Sequence, residues 1–420
     1  MSQSSGKPNA IIFGGLNTCS RSLAAFLVPE SGEALVANLR IVDKYSVHPP
    51  TTYLGSEFPK ILEKPNVEYQ QANLTLPATV SHVFDPPEGQ APYTYVFDLT
   101  GEVRRDRPEM IHIQQTVTIS RLIGLEAARR KVAAYVRLQL PFFETSEKGS
   151  HDEKENLKPL GTQGVWWQEN LRVLAAIEGL NLAIVRIGIV YGPYVEYGAV
   201  ASIMTVAAVY GHLKRQLKAL WPPGKNSMNT VHVEDVAGGL WACAKWIAKT
   251  GRKEADILAG EDILSNDKSK VQGKDVDFLP DPSKKIVAPL FNLVDDANTT
   301  QLSMGNTVTG LFGTTFGFHD FITTTIAKFK LTESMIEEIN EDHVGGWTSM
   351  ITSSKPPVTN SPLSAYLDES DLSKSVIALN NGKIKNIVGY TLTKPEFNQQ
   401  QLKEVVDKWK AEHTWPNNEE

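Results

Sequence analysis

Cysteine is scarce: only Cys19 and Cys243 occur in 420 residues. That excludes a disulfide framework and points to a reducing compartment. Positive charge is not in excess either. Forty-two Lys and Arg stand against 48 Asp and Glu, a formal charge of −6, so the basic footprint of a nucleic-acid binder is missing. No apolar run is long enough to span a bilayer. The opening MSQSSGKPNA leads into an apolar stretch too short and too soon interrupted to read as a signal peptide. A cytoplasmic chain with no membrane or nucleic-acid partner is expected. The nine histidines are scattered, none with a ligand spacing, so no metal site is expected. There is no internal repeat.

What is present is alternation. AIIFG (10–14), LRIVD (39–43), VEYQQA (67–72), YTYVFDL (93–99), AAYVRLQL (133–140) and LAIVRIGIVYG (182–192) read as buried strands, with helical patterns such as SRSLAAFLV between them. Strand–helix alternation predicts an α/β fold, a Rossmann-like doubly wound parallel sheet with helices on both faces. MNTVHV (228–233) and PLFNLVD (289–295) are later strand candidates. Between them a polar, lysine-rich stretch, 264–285, reads as a loop or disordered insertion. The last section is helical in pattern, with ESMIEEINEDH and NQQQLKEVVDKWKAEH as its clearer segments.

The first strand runs into GGLNTCSRSL. Glycines at such a strand-to-helix turn let the backbone approach a pyrophosphate resting on the helix N-terminus. With Gly14 as the first glycine of G-x-x-G-x-x-G, Asn17 falls second and Ser20 third. Asn tolerates positive φ and Ser is small, so the turn can form, with Thr18 and Cys19 beside it. Asp43 ends the second strand. A carboxylate there can take both adenosine-ribose hydroxyls and repel a 2′-phosphate, which predicts NAD over NADP if either binds, although Lys44 keeps NADP open. The alternative is that Asp43 caps a strand-end turn.

RIGIVYGP (186–193), TVHVEDVAGGL (230–240), FNLVDD (291–296) and GKIKNIVGYTLTKPEFNQQQLKEVVDKW, in that order, resemble the extended short-chain dehydrogenase/reductases, the NAD-dependent epimerase/dehydratase family. The likeness runs over nearly the whole chain. It implies a Rossmann core over 8–195, an excursion into a substrate lobe over 196–225, a return over 226–296, and a smaller, mostly helical substrate-binding lobe over 297–415. It also implies a small-molecule ligand, and it places Asn73 and Leu74 near the adenine and Asp98 and Thr100 near the dinucleotide. Asn73, where the family has Asp, can still bond an exocyclic amine.

The departures cluster at the chemistry. The family ends its fifth strand in Ser or Thr and carries Tyr and Lys four residues apart on the next helix, the tyrosine as general acid/base. Here that strand ends Arg137, Leu138, Gln139, Leu140, while Gly161 and Val165 fall at the Tyr and Lys positions. No tyrosine lies between Tyr135 and Tyr191, and no lysine between Lys158 and Lys214. Tyr-x-x-x-Lys recurs at Tyr210/Lys214 and Tyr390/Lys394, in parts the family uses for substrate binding, so both pairs read as decoys. The catalytic residues are therefore unknown.

Gln139, Glu144, Trp166, Tyr191 and His232 are carried as substrate-pocket candidates. Each has a plainer reading: Trp166 and Trp167 as core or as packing in a homodimer through this helix, Tyr191 as packing, His232 as structural, Arg137 and Glu144 in ordinary salt bridges, and Glu169 paired with an arginine. Together these residues suggest a binding protein or pseudoenzyme on an NAD(P)-binding scaffold, with or without a retained dinucleotide. The alternative is an active oxidoreductase, epimerase or lyase with relocated acid/base groups.

Overall fold

Parallel strands covered on both faces appear in sequence as unbroken apolar runs. Ala10–Phe13 (β1) is such a run, all four residues fully buried. The computed structural model describes residues 6–265, 276–329 and 331–417. Further strands follow at Leu39–Asp43 (β2), Val67–Gln71 (β3), Tyr95–Asp98 (β4) and Ala134–Gln139 (β5). A short antiparallel pair comes next, Phe143–Glu144 (β6) with Lys158–Pro159 (β7). Then come Leu182–Ile187 (β8), Ile189–Tyr191 (β9), Leu217–Ala219 (β10), Thr230–His232 (β11), Gly260–Asp262 (β12), Val287–Leu293 (β13) and Phe316–Phe318 (β14).

Eight strands form one sheet in the order β12-β13-β8-β5-β4-β1-β2-β3. Only β12 is antiparallel to its neighbour. The chain moves outward from β1 through β2 to β3, then returns past β1 to β4. The switch point thus lies between β1 and β4, where an open α/β sheet leaves a crevice at the carboxyl ends of its strands. The helices of this part are Ser20–Leu27 (α1), Phe58–Leu62 (α2), Pro77–Val83 (α3), Glu109–His112 (α4), Ile119–Arg129 (α5) and Gly161–Ala175 (α6). A π-helical stretch, Ile113–Thr118, joins α4 to α5.

The run 182–192, expected as one strand, divides at Gly188. Its N–H still bonds to Leu293 at 3.2 Å, as the β8–β13 register requires, but the next N–H, of Ile189, turns to Asn229 at 2.9 Å. The change of partner ends one strand and starts another, because β9 pairs with β11.

Two compact units result, each assembled from separated segments. The first holds the described residues of Met1–Gly188, Glu234–Val294 and Leu379–Thr393; the second holds those of Ile189–Val233, Asp295–Ala378 and Lys394–Glu420. The excursion therefore begins at Ile189 rather than 196 and includes 226–233. Residues 379–393, expected from the sequence to belong to the substrate lobe, cluster with the first unit instead. Asp235, fully buried, accepts there from Tyr390 Oη at 2.7 Å and from Thr393 N at 2.7 Å and Oγ1 at 2.9 Å. In the second unit, Ala199–His212 (α7) and the helices Gln301–Leu311, Glu333–Ser353 and Gln399–Ala411 accompany a stack of Trp409 and Phe312 on Trp415.

Of the polar stretch 264–285, residues 266–275 lie outside the described residues. Its described flanks are packed, not free loop. Arg172 of α6, 1% exposed, donates to the carbonyls of Ile263, Asp281 (3.0 Å) and Lys284 (3.1 Å). Val276, Phe278 and Leu279 lie against a buried group of Ile113, Val117, Val165, Trp166 and Val173. The chain's own segment thus covers part of the helix face for which core packing and homodimer packing were the two readings.

Candidate functional site

The turn after β1 is tight because two consecutive residues take positive φ, Gly14 at +68° and Gly15 at +76°. Asn17, expected to share that role, does not. The glycines are needed for space as well as for φ. A Cβ on Gly14 would stand 2.8 Å from Thr100 Cα, and one on Gly15 would stand 2.7 Å from Leu99 Cβ. The carbonyl of Gly15 then accepts from Thr18 N at 2.9 Å and Ser20 N at 3.0 Å, which launches α1.

Around this turn lies a cavity of about 390 Å³ at the carboxyl ends of β1 to β4. It is lined by Gly14–Thr18 from the turn, Asp43–Tyr45 after β2, Gln71–Leu74 after β3 and Leu99–Val103 after β4, with Gln115 and Ile119 from the helix opposite. Asp43 is 4% exposed, and its carboxylate accepts from Leu16 N at 3.1 Å and Lys44 N at 2.6 Å. Burial raises its pKa, against the pull of those backbone donors. It therefore ties the β2 end to the turn while facing the cavity, so the capping role and the wall position coexist. Asn17 bonds to Tyr45 Oη at 2.9 Å and accepts from Thr52 Oγ1 at 2.6 Å, fixing the same two segments to each other. Lys44 Nζ is 3.7 Å from Glu102, so the lining carries two carboxylates and one ammonium.

Gly14, Asn17, Thr18, Asp43, Asn73, Leu74 and Thr100 are brought together here. Cys19 and Asp98 are not part of this wall. Cys19 is buried at the head of α1, which pushes its thiol up to about 12. Asp98 is turned into the protein. Its Oδ1 accepts from Thr100 N (3.0 Å), Thr100 Oγ1 (2.6 Å) and Arg137 Nη1 (2.9 Å), and its Oδ2 from Ser120 Oγ (2.6 Å) and Tyr135 Oη (2.7 Å). Asp98 and Arg137 are both fully buried, and Asn170, its carboxamide oxygen facing the guanidinium, accepts from Arg137 Nε at 3.2 Å and Nη2 at 3.1 Å. Asn73 reaches the wall, but its Oδ1 accepts from Thr75 N (3.2 Å) and Oγ1 (2.7 Å). The acceptor meant for an exocyclic amine is thus committed to its own turn.

The residues that sequence reasoning passed over include Tyr45, Gly101, Glu102 and Gln115. Gln115 sits within the π-helical stretch, which shifts the helical register by one residue and re-aims the side chains after it. No periodicity of 3.6 would have found it.

Beyond Thr100 the surface is closed by α6. Gly101 has φ +143°, and a Cβ on it would stand 2.3 Å from the Trp167 ring. The Glu102 carbonyl accepts from Trp167 Nε1 at 3.0 Å and Gln163 Nε2 at 2.9 Å. Trp167 lies under the Arg137 guanidinium (4.7 Å to the ring centre) and edge-on to Phe142 at 5.2 Å. At Gly164 a Cβ would stand 2.3 Å from the Phe142 carbonyl oxygen, so the start of α6 rests directly on the segment after β5. None of the residues lining the cavity belongs to β5 or α6.

The pocket candidates are dispersed. Gln139 is buried at the β5 end, Glu144 pairs with Lys158 at 3.1 Å, and Trp166 is core with Nε1 on Glu109 at 3.0 Å. Trp167, its neighbour, is the one beside the cavity floor. In the second unit, Tyr191 is buried with its hydroxyl 2.8 Å from the Glu396 carbonyl, and His232 packs edge-on against it at 5.2 Å. Glu169, 1% exposed, accepts from Ser265 Oγ at 3.1 Å and lies 3.7 Å from Arg172. Among the described residues no group of three or more His, Cys, Asp or Glu could hold a metal ion, and no helix is long and apolar enough to cross a membrane.

No family model and no curated protein matches this sequence. Solved structures do match the fold. The Bordetella bronchiseptica enzyme WbmG in complex with NAD superposes with a TM-score of 0.59 at 10% identity, over 99% of this chain and 98% of that one. UDP-glucose 4-epimerase of Thermotoga maritima, with UDP-glucose, gives 0.55 at 16% identity over 96% and 99%. The dTDP-glucose 4,6-dehydratase of Bacillus anthracis, in complex with NAD, gives 0.59 at 12% identity over 97% and 98%. The chain has the Rossmann-like fold of the NAD-dependent epimerases and dehydratases, the extended short-chain dehydrogenase/reductases.

Proposed function

We propose that this chain is a nucleotide-binding protein on the epimerase/dehydratase scaffold, a pseudoenzyme for that family's tyrosine-dependent hydride-transfer chemistry. The observation that carries the reading is the cavity at the switch point, walled by the Gly14–Gly15 turn and the buried Asp43 carboxylate. That is where an open α/β sheet receives a nucleotide. Beyond its backbone donors Leu16, Lys44 and Tyr45, Asp43 keeps acceptor capacity for a ribose hydroxyl, and its charge, with that of Glu102 in the same lining, opposes a 2′-phosphate. NAD is therefore favoured over NADP.

Fit to a whole dinucleotide fails on one side. The adenosine half matches the cavity, which reaches the β4 end at Leu99–Val103, but beyond Gly101 Trp167 and the start of α6 close off the β5 end, where a second nucleoside would lie. Chemistry is missing there too. Gly161, at the tyrosine position, is exposed, a Cβ on it would meet no atom within 4 Å, and the β5 end offers no hydroxyl. The buried acids nearby, Asp98 and Glu169, are bonded to Arg137 and lie by Arg172 respectively.

Mass spectrometry of gently purified protein tests the reading by identifying any retained nucleotide, and calorimetry with NAD and NADP measures the preference. Asp43→Asn is expected to weaken NAD by about 10–100-fold, the loss of a hydrogen bond to a charged group. Failure of every nucleotide to bind or co-purify would reject it. Turnover of nucleotide sugars or simple carbonyls is expected to be negligible. An ordinary enzymatic rate, nucleotide-dependent and abolished by one change within 137–169, would instead establish relocated acid/base chemistry.

A further inference from the structure

Resting on that reading, we infer that the site holds one nucleotide rather than two: an adenosine mono- or diphosphate, or the corresponding half of NAD with its nicotinamide nucleoside left unseated. The argument is one of extent. A dinucleotide on this fold straddles the switch point, one nucleoside over the β1–β3 side and the other over the β4–β5 side. A cavity of about 390 Å³ covers the first side and runs on only as far as the β4 end at Leu99–Val103, near the lower end of the roughly 300–1,000 Å³ typical of small-ligand sites. Within this unit the remainder of the second side, beyond Gly101 toward the β5 end, is filled. Gly101 touches the Trp167 ring, and the Glu102 carbonyl is held by two donors from α6. Trp167 in turn is fixed between Arg137 and Phe142, and Arg137 is anchored by the fully buried Asp98.

Seating a nicotinamide there would displace a buried indole, break both bonds to Glu102 and uncover a buried ion pair. Its binding energy would have to offset all three. The adenosine side makes no such demand, since its wall groups already stand open to the cavity. Contacts made only by the first half cannot distinguish ADP from NAD, so the two should bind alike.

Calorimetry on the intact protein with AMP, ADP and NAD, joined to saturation-transfer NMR on NAD, decides this. ADP and NAD are expected to bind within about threefold of each other, with saturation reaching the adenine and ribose protons and not those of nicotinamide. ADP binding without NAD binding would support the inference equally. NAD more than about tenfold tighter than ADP, or nicotinamide protons saturated as strongly as adenine, would overturn it and leave the nucleotide-binding reading intact. If no adenine nucleotide binds, both fall. Trp167→Ala supplies an independent arm: provided its circular dichroism matches the parent, it should shift affinity toward NAD relative to ADP. An unchanged NAD-to-ADP ratio in that variant would count against Trp167 as the wall.

Discussion

Asp98 and Arg137 form the pair on which the closed side of the sheet depends. Each is fully buried, and the carboxylate has five donors. Such a pair adds little over well-packed apolar residues, but breaking it strands a charge in a dry interior. Arg137→Met is expected to destabilise by about 3–5 kcal/mol in urea unfolding. Adding Asp98→Leu to it should recover part of that loss, and strict additivity of the two changes would argue against the pairing. A second residue sets a pH dependence. Burial holds His343 at about 4, below its ordinary 6.5, with Asp342 opposing and His319 assisting. The unfolded chain takes up this proton as pH falls below 6.5, while the folded chain resists until about 4. The contribution is therefore intact above pH 6.5 and lost progressively toward pH 4, on the order of 3 kcal/mol at the limit. His343→Leu should flatten that part of the stability–pH curve relative to the parent; parallel curves would rule the assignment out.

Elements were the most legible part of the sequence. β1 announces itself because a strand buried on both faces calls for a near-continuous apolar run, and β2 and β5 keep most of that run around the buried Arg40, Asp43, Arg137 and Gln139. Their ends were less legible, because a strand such as 182–192 stops where its partner changes, and partners are remote in sequence. The site was legible in the same proportion. Asp43 and the Gly14 turn are local signals. Gln115 depends on a π-helical register, and the choice between Trp166 and Trp167 depends on which face of α6 meets Gly101. Two predictions belong at this scale. Gly101→Ala forces a side chain into φ +143° and into Trp167. It should cost about 1–3 kcal/mol from the backbone alone, with a visible change in tryptophan fluorescence. Arg172→Ala removes the donor that holds Ile263, Asp281 and Lys284 to α6. Faster hydrogen exchange confined to 276–285 is the expected result, and unaltered protection there would show the segment is held by Val276, Phe278 and Leu279 alone.

At the scale of the molecule, the distribution of the two units along the chain governs what can be removed. Ending the chain at Ala378 deletes the Tyr390 and Thr393 donors to Asp235 and the Lys383 contacts to Ala259 and Glu261. That truncation is expected to lower the unfolding midpoint of the sheet unit itself, followed by circular dichroism in urea; an unaltered midpoint would mean that Leu379–Thr393 is dispensable to it. The same arrangement has a consequence for how the protein is made. A unit whose segments were contiguous from the N-terminus could finish folding while the remainder was still being synthesised. Here the donors to Asp235 are synthesised long after the carboxylate they bind. The β1–β5 half can gather early on the ribosome, but the buried carboxylate waits for those donors until Thr393 emerges, and chaperone protection would be needed throughout that interval.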